Sequence, residues 1–378
     1  MFWSFWVKKI LIILVVVLFS PLMVEAGERK SLDPNWMTYY YFHQEGGSLD
    51  DFLLDTEFSE HVMANPSVAK PLAAFLSEVF SKDHELAKAM ATLDFSSGVK
   101  SAVARSFWLA RKDKLIIQLL GNTPEWSKQP PPSLSDLIVK SPADLDMLWG
   151  AFMASGEPVY IKKILAVLDD DKSLTGNELQ DKLIRSSAQW SLGSNMMQHE
   201  KVNRIVKSEV DIAKGSLKES IEEIISKNAK KYKGLPNKVG DFSAFLLITD
   251  VAELKEFKKK STKGLQFVEK KTVKRGEKVA LKIIFSAMEL SDDYNADVTF
   301  DLVMVDANGT VYNTLNLKDK VAMRHRTPVR YSIFNSAGYA ILAFDKEDAL
   351  GPYKITAKVY DNIAKKHIDL NKTLTLTE

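Results

Sequence analysis

The residues best placed to do chemistry lie in the run Asp169-Asp170-Asp171-Lys172-Ser173-Leu174-Thr175-Gly176-Asn177-Glu178. Side-chain oxygens alternate at Asp169, Asp171, Ser173 and Thr175, the spacing with which a calcium loop gathers hard oxygen ligands around one ion. The register departs from that loop. Leu174 stands where the tight turn needs Gly, and Gln180 stands where the bidentate Glu belongs. The competing reading is an acidic loop between helices, with Asp171 or Ser173 capping the next helix. Asp169 and Asp171 are also the pair that an enzyme acting on an envelope polymer would use as acid and base.

Other chemistry finds less support. Nucleophilic catalysis on a strained elbow calls for G-x-S-x-G, which is absent, and Ser97-Gly98 and Ser155-Gly156 read as turns. The histidines His43, His61, His84, His199, His325 and His367 are too scattered for metal-ligand spacing, and each reads as a solvated or capping residue. His199-Glu200 is half of a zincin motif without its second His. There is no phosphate-binding glycine loop and no dinucleotide fingerprint, so no cofactor is expected. A basic group of Arg324, His325 and Arg330 beside Thr327-Pro328 is either a ligand-facing loop or an edge strand guarded by charge and Pro. With no cysteine, the chain has no disulfide, thiolate metal site, cysteine nucleophile or cysteine-linked lipid.

The chain opens with Lys8-Lys9, an apolar run from Ile10 to Phe19, a break at Ser20-Pro21 and Val24-Glu25-Ala26. That order predicts a signal peptide over 1–26, cleaved between Ala26 and Gly27. The apolar run falls short of the roughly 20 residues that span a bilayer, so membrane attachment is expected only if the leader is retained. A cysteine-free exported chain fits a bacterial periplasmic or secreted location. Removing the leader takes away Lys8, Lys9 and Glu25 and lowers the formal charge from +2 to +1, which argues against a nucleic-acid partner.

Two rhythms follow. Over 27–260 apolar residues recur at helical spacing, predicting an all-α domain of helical hairpins. Pro66 after Asn65 and Pro142 after Ser141 each mark a helix start and open similar hairpin patterns. Trp108, Trp149 and Trp190 fall 41 residues apart, the period of a solenoid-like two-helix repeat, and offer a binding surface. The aromatic run Tyr39-Tyr40-Tyr41-Phe42 is expected to pack on the first helical pair. A last helix is expected over Asp250 to Lys260, and Ser261-Thr262-Lys263-Gly264 is the expected linker.

Over 265–378 the period becomes two. Val298, Phe300, Leu302 and Met304 alternate with polar residues, as do Tyr353, Ile355, Ala357 and Val359, with Asp306-Ala307-Asn308-Gly309 as a turn. About seven such strands predict a β-sandwich. Lys274-Arg275-Gly276-Glu277-Lys278-Val279, Ala296 to Asp301 and Asp306 to Gly309 resemble the immunoglobulin-like modules of bacterial surface and periplasmic proteins. Gly351-Pro352-Tyr353-Lys354-Ile355 with Val359-Tyr360-Asp361 resembles their final hairpin. The resemblance implies an extracytoplasmic binding or spacer module, not a catalyst. The expected protein is therefore a multidomain α plus β chain, a non-catalytic interaction or scaffold module of the cell envelope whose partner is another envelope or extracellular protein. An enzyme or enzyme accessory on an envelope polymer, and a secreted factor acting on other cells, are the alternatives.

Overall fold

The computed structural model describes residues 36–43, 48–253 and 268–378. The signal peptide, the Ala26–Gly27 cleavage site, the 261–264 linker and most of the helix expected over 250–260 lie outside the described residues. The chain divides into two compact units, one of residues up to Met196 with Lys201–Ala229, the other of Met197–Glu200 with Lys230–Glu378. The first is helical and the second holds two β-sheets.

The helical unit carries α1 (Leu49–Leu54), α2 (Thr56–Ala64), α3 (Ala69–Lys82), α4 (His84–Met90), α5 (Ser97–Leu109) and α6 (Asp113–Leu120). These are followed by α7 (Pro142–Ser155), α8 (Pro158–Ala166), α9 (Glu178–Gln198), α10 (Glu200–Val210) and α11 (Gly215–Lys231). The start signals act as read. Pro142 is the first helical residue of α7, where its missing N–H costs nothing, and Asp144 accepts from Ser141 Oγ and the Lys140 N–H. Gly156 ends α7 in the left-handed conformation (φ 68°) and Pro158 begins α8 two residues later. The pairs α3/α4 and α7/α8 are the two hairpins expected after Pro66 and Pro142.

Two apolar cores meet where α3 packs along α7. One holds Phe75, Phe80 and Phe107, the other Phe152, Ile161 and Leu192. Tyr40 packs on Phe75 and Tyr41 on Phe152, so the aromatic run bridges α3 and α7 rather than sitting on the first helical pair.

The second unit contains β1 (Asn237–Val239), β2 (Phe242–Asp250), β3 (Thr272–Lys274), β4 (Lys278–Ser286) and β5 (Asn295–Val305). Then come β6 (Val311–Arg326), β7 (Ile333–Asn335), β8 (Ala340–Ala343), β9 (Gly351–Asp361) and β10 (Lys366–Thr377). One sheet runs β1-β2-β4-β7 with β8 also on β4, and the other runs β3-β10-β9-β5-β6. The alternating residues of β5, β9 and β10 turn Val298, Phe300, Tyr353, Ile355, Leu370 and Leu374 into one shared core.

The domain boundary differs from the expectation. Residues 237–250, expected in the helical domain, form β1 and β2, and β2 pairs with β4 from Ser243↔Ser286 to Asp250↔Val279. Almost every residue of β2 is buried on both faces, so its sequence Phe-Ser-Ala-Phe-Leu-Leu-Ile-Thr-Asp shows a continuous apolar run without alternation. A run of that kind fits a buried strand and a buried helix equally well.

Candidate functional site

The acidic loop between α8 and α9 is organised from within. Its centre is Asp181, on the first turn of α9 and 4 % exposed. The Asp181 carboxylate accepts from Ser173 Oγ (3.1 Å), the Leu174 N–H (2.9 Å), the Thr175 N–H (2.9 Å) and Thr175 Oγ1 (2.5 Å). The Thr175 hydroxyl, then the Leu174 N–H, hold it below the usual carboxylate range. Asp169 takes Lys172 Nζ at 2.8 Å, Ser216 Oγ at 3.1 Å and the Asp171 N–H. The Lys172 ammonium is the main reason its pKa is lowered. Arg185 donates to the Asp169 and Lys172 carbonyls and pairs with Asp170.

Thus Asp169 and Ser173 already spend their oxygens on protein donors. Among the described residues, no group of three acidic or histidine side chains is arranged to hold a metal. An acid catalyst needs a carboxyl with a raised pKa, and Asp169 shifts the other way. Neither Asp171 nor Ser173 caps α9; Asn177 does, accepting the Gln180 N–H. Sequence reasoning passed over Asp181, because it accepts from the loop that precedes its helix rather than from the helix N–H groups, and so shows no N-cap spacing.

The three evenly spaced tryptophans occupy unlike environments. Trp108, in the last turn of α5, donates Nε1 to the Gln129 carbonyl at 2.7 Å and meets Trp126 edge-on. Trp149 is buried in the core of α7. Trp190 stands on α9 with 47 % of its surface exposed. The 41-residue interval therefore does not mark equivalent repeat positions.

Arg324, His325 and Arg330 do not act together. Arg324 pairs across the strands with Asp297 on β5 at 3.1 Å, and His325 lies exposed opposite Ala296. Arg330 turns inward, 3.1 Å from Glu289, with its guanidinium over the Tyr331 ring. His199 is not solvated either: it is fully buried, and burial pulls its pKa down to about 3.

Two features were not legible in the sequence. On α9 the core side is Ile184, Ala188, Leu192 and Met196. Leu179 (80 % exposed), Leu183 and Trp190 project from the opposite side. At about 100° per residue these three fall within about 40° of one another, a second apolar stripe pointing to solvent. In the sandwich, a cavity of about 250 Å³ opens between the two sheets, lined by Leu246, Leu281 and Ile283 on one side and Phe300, Leu302 and Leu317 on the other.

No family model matches the chain, and no curated protein matches it. Among solved structures, a Niemann-Pick type C2 protein from the Japanese carpenter ant is 10 % identical and covers 38 % of this chain and 92 % of its own, with a TM-score of 0.22. A CARDB domain from Pyrococcus furiosus is also 10 % identical, covering 36 % of this chain and 89 % of its own with a TM-score of 0.20. A type I cohesin from Pseudobacteroides cellulosolvens is 12 % identical, covering 29 % and 88 % with a TM-score of 0.15. At these scores the likenesses say nothing about activity. The C-terminal region is a β-sandwich-like sheet region.

Proposed function

We propose that this is an exported interaction module that engages a partner protein through the outer face of α9. The observation that carries the reading is the stripe of Leu179, Leu183 and Trp190, set opposite the face that α9 buries in its own core. Scattered apolar residues are normal on a surface, whereas an aligned set with a Trp is the pattern of an amphipathic helix that docks in a partner's groove. Trp is also among the residues that dominate binding energy at interface centres. The leader over 1–26 supports a periplasmic or secreted location, so the partner is an envelope or extracellular protein. The sandwich, in keeping with its resemblance to immunoglobulin-like bacterial modules, serves as a second contact or a spacer.

The test is a photoreactive residue at Leu183 in the full chain expressed in a bacterial host, followed by cell fractionation and crosslinking. The reading expects processing at Ala26, an extracytoplasmic product and one discrete adduct that Leu179→Asp abolishes. The partner so identified, once purified, should lose about tenfold or more in affinity for Trp190→Ala. Cytosolic retention, or crosslinking that ignores Leu179→Asp, would overturn it.

A further inference from the structure

The cavity in the sandwich has features of a built site. Two packed sheets fill the space between them to crystal-like density and leave few voids larger than a water. Here about 250 Å³ stays open between Leu281 and Ile283 of β4 and Phe300 and Leu302 of β5. Water inside would have too few polar partners on such a lining. An apolar cavity of about 150 Å³ accommodates benzene, so this one suits a longer hydrocarbon.

The strand pairing shows how the mouth is made. Leu317 faces Leu302 and Lys320 faces Phe300, although residues three apart on a regular strand point to opposite sides. The pairing takes up the extra residue at Lys318-Asp319, which stand against Asp301 alone. Asp319 adopts a positive φ of 46° and donates its N–H to Asp301 Oδ1 at 2.8 Å. This bulge brings Leu317 and Lys320 to the cavity side of the same edge strand; bulges beside binding sites commonly re-aim a side chain in this way.

The roof is the turn between β7 and β8. Ser336 donates its N–H to the Ile283 carbonyl, and Ala337 donates its own to Ala322 on β6, so the turn spans from one sheet to the other. Tyr339 of that turn stands at the opening, half exposed, with Lys282 Nζ 5.6 Å from its ring centre. The lining thus includes Lys320 and no carboxylate, while Lys282, between the core-facing Leu281 and Ile283, points to the other face of its sheet.

We propose that the sandwich binds a single-chain anionic amphiphile of the fatty-acid kind, its hydrocarbon between the sheets and its head group at Lys320. The apolar lining selects the chain, and the Lys320 ammonium, set on the Phe300 side of the edge strand, selects the negative head. This site is separate from the α9 stripe and does not depend on it.

The test is calorimetric titration of the purified protein with laurate and with dodecanol, both below their aggregation concentrations, alongside methyl NMR. Laurate should bind one to one and shift the methyl signals of Leu281 and Ile283 while leaving Leu183 unmoved. Dodecanol should bind about tenfold or more weakly, the worth of one hydrogen bond to a charged group. Lys320→Glu, at an exposed position that does not threaten folding, should bring laurate down to the level of dodecanol and leave dodecanol unchanged. Leu317→Trp, checked for a native circular dichroism spectrum, should block both ligands. Absence of laurate binding, equal binding of laurate and dodecanol, indifference to Lys320→Glu, or shifts confined to α9 would each overturn the proposal.

Discussion

Gly150 of α7 lies so near Pro71 of α3 that a Cβ built on it would stand 2.3 Å from the Pro71 carbonyl oxygen and 3.1 Å from its carbonyl carbon. Both atoms belong to backbone, so neither can rotate away. This contact lets α3 and α7 approach each other closely and joins the core around Phe75 to the core around Phe152.

Gly150→Ala should therefore destabilise the helical unit, although Ala favours an isolated helix by about 1 kcal/mol. Overpacking typically costs about 1–3 kcal/mol, and a backbone obstacle places this position toward the upper end. Urea unfolding followed by helical circular dichroism should show a lower midpoint with an unchanged slope. A midpoint equal to or above that of the wild type would mean the helices are not held at this distance.

The sequence made some of this legible and hid the rest for physical reasons. Strands β5, β9 and β10 read correctly because one face meets the core and the other meets water, which writes alternation into the sequence. Strand β2 is covered on both sides and lost that signature. The α9 stripe was hidden for a related reason: Leu179, Leu183 and Trp190 count as ordinary apolar positions until Ile184, Ala188 and Leu192 are known to form the buried side. The cavity depends on a bulge between Phe300 and Leu302, and no local pattern announces which residue a strand skips.

Asp146 sits on α7 between buried Leu145 and Leu148, and burial pushes its carboxyl up to about 6 from an ordinary 3.8. The folded state holds this proton more tightly than the unfolded chain. The associated stability is complete below about pH 4 and disappears as pH rises through about 6. The full difference corresponds to about 3 kcal/mol at neutral pH, and partial exposure reduces it to about 1–2 kcal/mol. Asp146→Asn should raise the unfolding midpoint of the helical unit at pH 7 and leave it unchanged near pH 4. Equal midpoints at both values would show that the carboxyl is solvated.

His199 carries the opposite dependence. Its pKa is depressed by burial to about 3, whereas an unfolded histidine takes a proton near 6.5. Stability from this residue is complete above about pH 6.5 and falls with acidification by up to about 1.4 kcal/mol per pH unit until the folded pKa is reached. Nitrogen-detected NMR of the imidazole should show a neutral ring down to pH 4. Titration near 6.5 would place the ring in water.

The loop between α8 and α9 supplies the remaining prediction. Because Asp181 receives four donors from Ser173, Leu174 and Thr175, it fixes the segment that a calcium reading assigned to Asp169, Asp171 and Ser173. Asp181→Ala leaves the Leu174 and Thr175 N–H groups without their acceptor, so their amide exchange should accelerate and the helical unit should melt at a lower temperature. Millimolar calcium should neither restore the variant nor raise the melting temperature of the wild type. A calcium-dependent rise in the wild type that Asp169→Asn abolishes would instead show that the loop opens its hydrogen bonds to take an ion.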